Sequence, residues 1–524
     1  MTGATLVYAP LPAAFDPLAW WSGHDPNRIA VVDATRGGEH SYGALDARAT
    51  QWCGALAAMG AVAGDRIAVL SRNRVAHIPL LAAAGRIGAS LVPLNWRLTA
   101  VELARVLRNA TPSVLLGEDC FRGLAERAVK ESGIREPVWC DLDRDADALL
   151  RRAAAFPRVD VTPDTVAMLL YTSGSTGVPK GVMMPHRQLH WNAVATNLAW
   201  ELSSLDVGLL ASPLFHTAGW GVFTLPLLFC GGRMVILDAF DPDHVLATMR
   251  SQHITVSFGV PTQLDMLRSG AAWGEPLPSL RWLIAGGAPC PPRIRDSVWD
   301  AGYQFREAYG LSECGPNCFT TSNAIALANP GTVGHPLPFL DMRLIADHGR
   351  VVAPGEVGEL QLRGPQMFGG YLNDAERTAE VMTVDGWLRT GDLALRNSEG
   401  LWAIRGRRKE LFISGGENVY PGEVEAALLS CPGVADASVI GMDDARWGEI
   451  GCAVVVRSVG YESLGESALL AEVREYLAGY KVPRRVIFVD ELPRLGSGKI
   501  DRNAVAEGIA LRAPAQEHGT SKAE

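Results

Sequence analysis

Short apolar runs alternate with helix-like segments through the first half of the chain, and this alternation limits the fold more than any other feature of the sequence. The runs at residues 65–70 and 90–93 read as buried strands with a helical pattern between them. Similar runs follow at residues 234–237, 255–258 and 282–285. Because strands that alternate with helices pair in parallel, this part of the chain predicts parallel sheets covered by helices.

The sequence changes character after Gly331. Strand patterns at residues 342–345, 358–362 and 401–404 are separated by turns rich in Gly, Pro and Asp, which is typical of a small β-rich subdomain. A run of charged residues at 405–410 then precedes a compact segment of strand and helix patterns. We interpret this charged run as a domain boundary.

We therefore predict an α/β fold in two domains. The large N-terminal domain, residues 1–404, contains two parallel-type sheets with covering helices and the small β-rich subdomain. Residues 405–410 form a hinge, residues 411–507 form a small α+β domain, and the polar tail at 508–524 is expected to be disordered. The length of 524 residues supports this division, since a single core rarely grows beyond about 250–300 residues.

Composition and charge exclude several classes of protein. The chain is 48% hydrophobic and carries a net charge of −9, which is ordinary for a globular protein and disfavours a nucleic-acid partner, because such a partner requires a basic face. No stretch reaches the ~18 uninterrupted apolar residues of a membrane helix. Residues 1–10 lack the basic start and apolar run of a signal peptide. We therefore expect neither a nucleic-acid partner nor an integral membrane segment.

The nine cysteines occur singly, without a CxxC pair. Cys314 and Cys318 lie close together in sequence, but no second pair completes a zinc site. An odd number of scattered cysteines is typical of reduced thiols, which predicts a cytoplasmic protein.

A loop rich in glycine and hydroxyl residues follows an apolar strand pattern at residues 166–170. Its glycines would let backbone N–H groups approach phosphate oxygens, its hydroxyls would donate hydrogen bonds, and its lysine would supply charge. It lacks the Gly-Lys-Ser/Thr triplet of a Walker A loop. Such a stretch can also be a plain surface turn, but the strand before it and the lysine after it favour phosphate binding. The assigned residues are Thr172, Ser173, Gly174, Ser175, Thr176, Gly177 and Lys180.

This loop and several later motifs resemble the adenylate-forming (ANL) superfamily, which includes acyl-CoA synthetases, peptide-synthetase adenylation domains and firefly luciferase. The resemblance covers about residues 15–505 and points to the acyl- and aryl-CoA synthetase branch, the AMP-forming acid–CoA ligases. It implies that the C-terminal domain is a mobile lid. The later motifs follow the family's order at residues 286–289, 307–313, 390–392, 406–409, 413–418 and 496–500.

The resemblance also implies roles for individual residues. Glu313 would hold Mg²⁺ between ATP phosphates, because a single carboxylate together with substrate oxygens suits this ion. Ser312 would contact a phosphate. Asp392 and Arg407 would bind the ribose, although the Thr-Gly-Asp sequence that contains Asp392 is also typical of a turn capped by its Asp. Ile404 would line the base. The residues assigned to the adenine slot and its walls are Gly286, Gly287, Ala288, Glu307, Ala308, Tyr309 and Gly310.

Two lysines and two glycines in the last quarter of the chain complete these implied roles. Lys499 would bridge the acid's carboxylate and the α-phosphate, where a compact ammonium suits two non-coplanar acceptors better than a planar guanidinium does. Lys409 would mark the hinge about which the small domain turns between adenylation and thioester formation. Gly415 and Gly416 match the small residues that let the pantetheine arm of CoA pass close to the backbone.

The segment 213–220 resembles the one that presents a histidine beside the acyl pocket. Amino-acid-activating relatives carry an aspartate there, so His216 disfavours an α-amino acid, although it could also fill core space. The expected pocket is apolar or neutral and fits an uncharged fatty or aromatic tail. Its aromatic residues slightly favour flat acids, but medium-chain fatty acids, benzoates and cinnamates stay open. The pocket residues are His216, Trp220, Ala195, Phe258, Leu311 and Asn317.

The chain ends about 25 residues after Lys499 without a carrier domain, which favours free CoA as the acceptor. The expected cofactors are therefore ATP, Mg²⁺ and CoA. One alternative is a stand-alone ligase that loads a separate carrier protein, and another is a catalytically silent nucleotide-binding homologue. The second is disfavoured because Lys180, Glu313, Asp392 and Lys499 are all present. Luciferase-like oxidation has no specific support, and the resemblance also allows a homodimer.

Overall fold

The computed structural model describes residues 15–172, 179–346, 349–414, 417–444, 446–495 and 498–510. These residues fall into two compact units. The first unit comprises the chain up to Cys290 together with Ile294–Thr390 and Ala394–Ile404. The second comprises Pro291–Arg293, Gly391–Leu393 and the chain from Arg405 onward.

The strands of the described residues, in chain order, are β1 (Ile29–Asp33), β2 (Glu39–Ser41), β3 (Arg66–Leu70), β4 (Ser90–Pro93), β5 (Val114–Gly117), β6 (Val138–Asp141), β7 (Val166–Thr172), β8 (Lys180–Pro185), β9 (Val207–Leu210), β10 (Arg233–Ile236), β11 (Val256–Gly259), β12 (Trp282–Gly286), β13 (Phe305–Ala308), β14 (Phe319–Thr320), β15 (His335–Pro336), β16 (Asp341–Ile345), β17 (Val357–Arg363), β18 (Leu388–Arg396), β19 (Trp402–Arg407), β20 (Phe412–Ser414), β21 (Glu417–Val419), β22 (Val434–Asp444), β23 (Gly448–Arg457) and β24 (Arg485–Val489).

The helices are α1 (Pro17–His24), α2 (Tyr42–Ala58), α3 (His77–Arg86), α4 (Ala100–Ala110), α5 (Arg122–Ser132), α6 (Ala146–Arg152), α7 (His186–Trp200), α8 (Thr217–Gly221), α9 (Thr224–Cys230), α10 (Pro242–Ser251), α11 (Pro261–Arg268), α12 (Pro292–Asp300), α13 (Asn323–Ala328), α14 (Ala375–Val381), α15 (Pro421–Ser430), α16 (Glu466–Val473) and α17 (Arg502–Ala510). None of these helices is long and apolar enough to cross a bilayer.

Two large sheets form the first unit. One has the order β13-β12-β11-β9-β10-β1-β2 and is parallel except at the β1–β2 edge. The other has the order β6-β5-β3-β4-β7-β8 and is parallel except for the β7–β8 pair. Their central strands are buried along most of their length, as expected for parallel strands covered on both faces. The prediction of two parallel-type sheets with covering helices is confirmed.

The seven-stranded sheet changes direction at β9, because β10 and β11 follow it in sequence but lie on its opposite sides. In open α/β sheets, ligands bind outside the carboxyl ends of the strands at such a reversal point. The segments that follow β9, β11, β12 and β13 therefore leave the sheet at the edge where a ligand site is expected.

The predicted β-rich subdomain is a four-stranded sheet in the order β16-β17-β18-β19. The sequence prediction missed β18, because Thr-Gly-Asp at residues 390–392 resembles a turn. The structure places this tripeptide inside the strand, with Gly391 at a φ of +71°, a conformation that favours glycine. Asp392 is therefore a strand residue rather than a turn cap.

The second unit combines a sheet of order β21-β20-β23-β22, in which β24 also pairs in parallel with β23, and the helices α15 to α17. This mixture confirms the predicted α+β class. The prediction that residues 508–510 belong to a disordered tail is wrong, because α17 includes them. Val505 and Ile509 lie four residues apart on this helix and join the buried cluster that contains Cys452. The rest of the predicted tail, residues 511–524, lies outside the described residues.

Candidate active site

The predicted phosphate loop connects two antiparallel strands. Thr172 ends β7 and pairs with Lys180, which begins β8. The hairpin thus sets the predicted phosphate lysine directly across from the first hydroxyl residue of the loop. Five loop residues between them were predicted to bind phosphate, and they lie outside the described residues. They are Ser173, Gly174, Ser175, Thr176 and Gly177.

Tyr371 connects the predicted magnesium ligand to the predicted phosphate lysine. Its hydroxyl donates to Oε1 of Glu313 at 2.7 Å, and Nζ of Lys180 lies 5.2 Å from the centre of its ring. Sequence analysis did not identify this tyrosine. The only local signal is that two glycines precede it. The structure therefore brings two predicted site residues to one aromatic side chain.

The backbone around Tyr371 explains its position. Residues 369–372 run beside β8, where the Met183 N–H donates to the Gly370 carbonyl at 3.0 Å and the Leu372 N–H donates to the Gly181 carbonyl at 2.8 Å. The Phe368 N–H donates to the Glu313 carbonyl at 2.8 Å. One short segment thus joins the strand that carries Lys180 to the turn that carries Glu313.

The residues around Glu313 fit a magnesium ion that is shared with a polyphosphate. Among the described residues, no group of three or more His, Cys, Asp or Glu side chains could hold a metal ion by itself. Mg²⁺ is commonly bound by one or two carboxylates together with substrate phosphates and water. Neighbouring Ser312 is buried, and its carbonyl accepts from Nε2 of Gln188 at 2.7 Å, which anchors the turn to α7.

The predicted adenine slot lies where β12 and β13 end. Gly286 pairs with Ala308, and a Cβ at position 286 would lie 3.0 Å from both the Ala308 carbonyl oxygen and the ring of Phe258. Gly287 has a φ of +83°, and neighbouring Ala288 is exposed. A Cβ on Gly310 would lie 2.2 Å from the Pro316 backbone. Close backbone approach therefore requires glycine at position 310, whereas a side chain at position 286 would be crowded.

Tyr309 follows directly on β13. Its carbonyl accepts from the Cys318 N–H at 2.9 Å, and its ring meets that of Phe319 edge-on at 5.8 Å. These contacts anchor the residue at the end of the strand, next to Gly310. The side chain predicted to stack on adenine is thus fixed from both its backbone and its ring.

Glu307, predicted to line the adenine slot, has an electrostatically perturbed carboxyl. Burial raises the pKa of its carboxyl from 4.5 to about 7, and the charge of Arg295 opposes this shift only in part. The carboxyl is therefore half-protonated near neutral pH. Ala308, the next residue of β13, contributes backbone to the slot.

We expect Glu307→Gln to change the pH dependence of stability. The folded chain retains a proton on Glu307 that the unfolded chain releases above about pH 4.5. The protonated carboxyl therefore stabilises the folded state fully below that pH, and this stabilisation is lost as pH rises through about 7. The free energy of unfolding of the variant relative to wild type should therefore rise by roughly 1–3 kcal/mol between pH 4.5 and 8. Urea unfolding across this range measures it, with exposed Glu376→Gln as the control. A difference that does not vary with pH would contradict the assignment.

A small cavity lies beside Phe258, at the reversal point of the seven-stranded sheet. Its volume is about 10 Å³, which is roughly the space of one water molecule. Phe258 is the one predicted pocket residue that lines it. Sequence analysis missed the others because they come from β9, β10 and the α8–α9 segment, whose proximity depends on strand order. They are Leu209, Leu210, Ser212, Ala218, Gly219, Val222, Phe223, Thr224 and Met234.

The other predicted pocket residues have different surroundings. Trp220 is 1% exposed, and its Nε1 donates to the Leu214 carbonyl at 2.6 Å, so its indole fills the core. Asn317 is fully buried, and its Nδ2 donates to the Gly221 carbonyl at 3.1 Å, which ties the turn after Glu313 to α8. Ala195 is buried on α7, and Leu311 is half-buried. None of these four lines the cavity.

His216 precedes α8 and is half-buried. Its backbone N–H donates to the Pro213 carbonyl at 3.1 Å and closes a tight turn. The centre of its ring lies 4.6 Å from that of the Phe215 ring. Gly219 lies within the same turn, where a Cβ would come 2.4 Å from the Pro213 carbonyl oxygen. The turn holds the imidazole at the segment that follows β9.

The two predicted ribose ligands form an ion pair within the second unit. Nε of Arg407 lies 2.7 Å from Oδ1 of Asp392, and the carboxylate is buried while the guanidinium is half-exposed. Each side chain thus orients the other. Ile404, predicted to line the base, ends the first unit and packs on its core.

The predicted hinge ends in a short 3₁₀ turn, Arg408–Glu410. Lys409 is exposed there. Nε of Arg502, from α17, lies 3.2 Å from Oε2 of Glu410, and burial raises the pKa of the Glu410 carboxyl. Lys499 is exposed in a turn that is closed by the Leu495 N–H donating to the Lys499 carbonyl at 2.8 Å. Gly415 and Gly416 lie outside the described residues.

The chain resembles known proteins whose function agrees with the geometry of this site. Residues 18–372 match the AMP-binding enzyme family, and residues 423–499 match the AMP-binding enzyme C-terminal domain. A feruloyl-CoA synthase from Amycolatopsis is 40% identical over 89% of this chain and 93% of its own length. An indoleacetate–CoA ligase from Aromatoleum aromaticum is 35% identical over 94% of this chain and 97% of its own.

The solved structure of o-succinylbenzoate CoA synthetase from Bacillus subtilis in complex with its acyl-adenylate intermediate has a TM-score of 0.85 and 29% identity, covering 94% of this chain and 98% of that one. The same enzyme is also solved with ATP and a magnesium ion. These relatives confirm the predicted α/β fold class and the predicted enzyme class, an AMP-forming acid–CoA ligase, and they agree with the predicted use of ATP, Mg²⁺ and CoA. The chain belongs to the AMP-binding enzyme family, in its acyl- and aryl-CoA synthetase branch.

Proposed function

We propose that this ligase activates a carboxylic acid with an uncharged aromatic tail and transfers the acyl group to free CoA. The observation that carries the proposal is the contact of Tyr371 with both Glu313 and Lys180, since a magnesium-bound polyphosphate would require one carboxylate and one ammonium close together. The residues that line the small cavity beside Phe258 carry no charge, which supports an acid with an uncharged tail. Relatives that act on ferulate and indoleacetate support an aromatic one.

In the first half-reaction, an oxygen of the acid's carboxylate forms a bond to the α-phosphorus of ATP. The bond from that phosphorus to the bridging oxygen breaks, and pyrophosphate leaves with the electron pair. Because two anions must meet, the protein contributes mainly by positioning the two reactants and neutralising their charges. We assign polyphosphate contacts to Lys180 and the loop before it, and the bridge between carboxylate and α-phosphate to Lys499. Magnesium, held by Glu313, would neutralise charge on the phosphates.

In the second half-reaction, the CoA sulfur attacks the acyl carbon, and AMP leaves with the electrons of the broken C–O bond. We propose that residues 405–410 act as the hinge between the two steps and that Gly415 and Gly416 leave room for the pantetheine arm. The ion pair between Arg502 and Glu410 would anchor the end of the hinge to the small domain. Lys409 is exposed in the intervening turn. The proposal requires neither a carrier protein nor a second copy of the chain.

We further propose that the enzyme acts in the cytoplasm. None of the nine cysteines forms a disulfide in the described residues, and seven of them are buried. Free thiols in this number suit a reducing compartment.

A screen of acid-dependent pyrophosphate release tests the proposed acid and acceptor. The panel contains hydroxycinnamic, benzoic, indoleacetic, medium-chain fatty and α-amino acids, each with CoA or with a phosphopantetheinylated carrier protein. We expect the highest kcat/KM with an aromatic acid and free CoA. A higher value with a fatty acid would overturn the aromatic assignment, and faster loading of the carrier would overturn the acceptor. Release with no acid at all would overturn the function itself.

A further inference from the structure

We infer that Tyr371 is a positioning residue for adenylation, which orients the Glu313 carboxylate toward magnesium and holds the Lys180 ammonium beside it. This inference rests on the proposed function, because it presupposes that Glu313 and Lys180 serve a magnesium-bound polyphosphate.

The tyrosine is itself rigidly held. Its side chain belongs to the buried core, with 5% of the residue exposed. Its N–H donates to Oγ1 of Thr378 at 2.9 Å, and that hydroxyl donates to the Asp374 carbonyl at 2.8 Å. The ring of Phe368 meets its ring edge-on at 5.1 Å. A phenol fixed by backbone, hydrogen bond and ring contact can define the direction of a partner's side chain.

The hydrogen bond to Glu313 restricts the carboxylate. A glutamate side chain has three rotatable bonds, and a donor at 2.7 Å from Oε1 selects one orientation of its plane. The Phe368 N–H, which donates to the Glu313 carbonyl, fixes the backbone of the same residue. Groups that orient a metal ligand in this way typically contribute about 10–100-fold to metal affinity or activity.

The face of the same ring restrains Lys180. An ammonium within about 6 Å of an aromatic centroid is attracted by the ring's quadrupole, and here the separation is 5.2 Å. The hydroxyl and the ring face thus act on different partners. Tyr371→Phe removes the hydrogen bond to Glu313 and keeps the ring beside Lys180, whereas Tyr371→Leu removes both contacts.

The test measures MgATP binding by calorimetry over a range of Mg²⁺ concentrations, together with the thermal midpoint of each variant. We expect Tyr371→Phe to raise the Mg²⁺ concentration needed for half-maximal binding by about 10-fold, and Tyr371→Leu to weaken ATP binding further. Tyr42→Phe is the matched control, because Tyr42 is also buried and its hydroxyl donates to the Gly232 carbonyl at 2.8 Å. It should lower the thermal midpoint without changing the Mg²⁺ requirement.

A double-mutant cycle with Glu313→Ala, which removes the acceptor of the Tyr371 hydroxyl, shows whether Tyr371 acts through Glu313. The effect of Tyr371→Phe should largely disappear in the Glu313→Ala background. Additive effects, or a lower thermal midpoint with an unchanged Mg²⁺ requirement, would overturn the inference. If wild type releases pyrophosphate with no acid, the proposed function fails instead, and that result is separate from the outcome of the cycle.

Discussion

Lys499→Ala is expected to lower acid-dependent pyrophosphate release by roughly 10²–10³-fold, the usual loss when one preorganised donor to a developing charge is removed. The ammonium is assigned to the point where the carboxylate meets the α-phosphate, so its loss leaves the two anions to approach without a positive charge between them. Lys499 is exposed in a surface turn. The substitution should therefore change the free energy of unfolding by no more than about 0.5 kcal/mol.

The same variant should convert a supplied acyl-adenylate and CoA to thioester at nearly the wild-type rate. Lys499→Arg is expected to recover only part of the adenylation activity, because it keeps the charge but replaces a rotatable ammonium with a planar fork. Lys130→Ala, which removes an exposed lysine from α5, is the matched control. Equal losses in both half-reactions would refute the role assigned to Lys499.

Glu313→Gln is expected to reduce kcat/KM for ATP by about 10²–10³-fold, since a bound metal ion contributes several kcal/mol of charge stabilisation. The amide can still accept from Tyr371, so the substitution removes the charge while it keeps the shape and the hydrogen bond. The loss should shrink at high Mg²⁺ concentration, because mass action partly offsets a weakened site. Steady-state rates across a Mg²⁺ titration measure this change.

Glu376→Gln is the control for that experiment, because Glu376 is exposed in the first turn of α14. It should leave the Mg²⁺ titration unchanged. If Glu313→Gln lowered the thermal midpoint but left the Mg²⁺ dependence of wild type intact, Glu313 would be a structural residue and the metal assignment would be wrong.

The sequence predicts most of the fold because parallel strands buried on both faces leave continuous apolar runs. The run at residues 90–93 coincides with β4, and that at 282–285 falls short of β12 by one residue. The failure at β18 has a physical cause. Gly391 breaks the apolar pattern and adopts a positive φ within the strand, so local composition indicates a turn where tertiary pairing makes a strand.

The site was less predictable because it depends on contacts between distant segments. The motif that contains Glu313 can be recognised locally, but Tyr371 lies 58 residues later and reaches it only because residues 369–372 run beside β8. Trp220 is the opposite case, in which a local pattern suggested a site role that the fold does not support. An aromatic residue next to a recognised motif suggested a pocket wall, yet its indole is satisfied by the Leu214 carbonyl and fills the core. Which side chains line the cavity follows from the order of β9, β10 and β11, which no local pattern encodes.

The most direct test of the central claim is ATP–pyrophosphate exchange with an aromatic acid in the absence of CoA, followed by addition of CoA to the same enzyme. We predict acid-dependent exchange in the first stage, and stoichiometric release of AMP with the acyl-CoA in the second. Exchange that requires CoA, or release of ADP and phosphate instead of AMP and pyrophosphate, would contradict a mechanism through an acyl-adenylate.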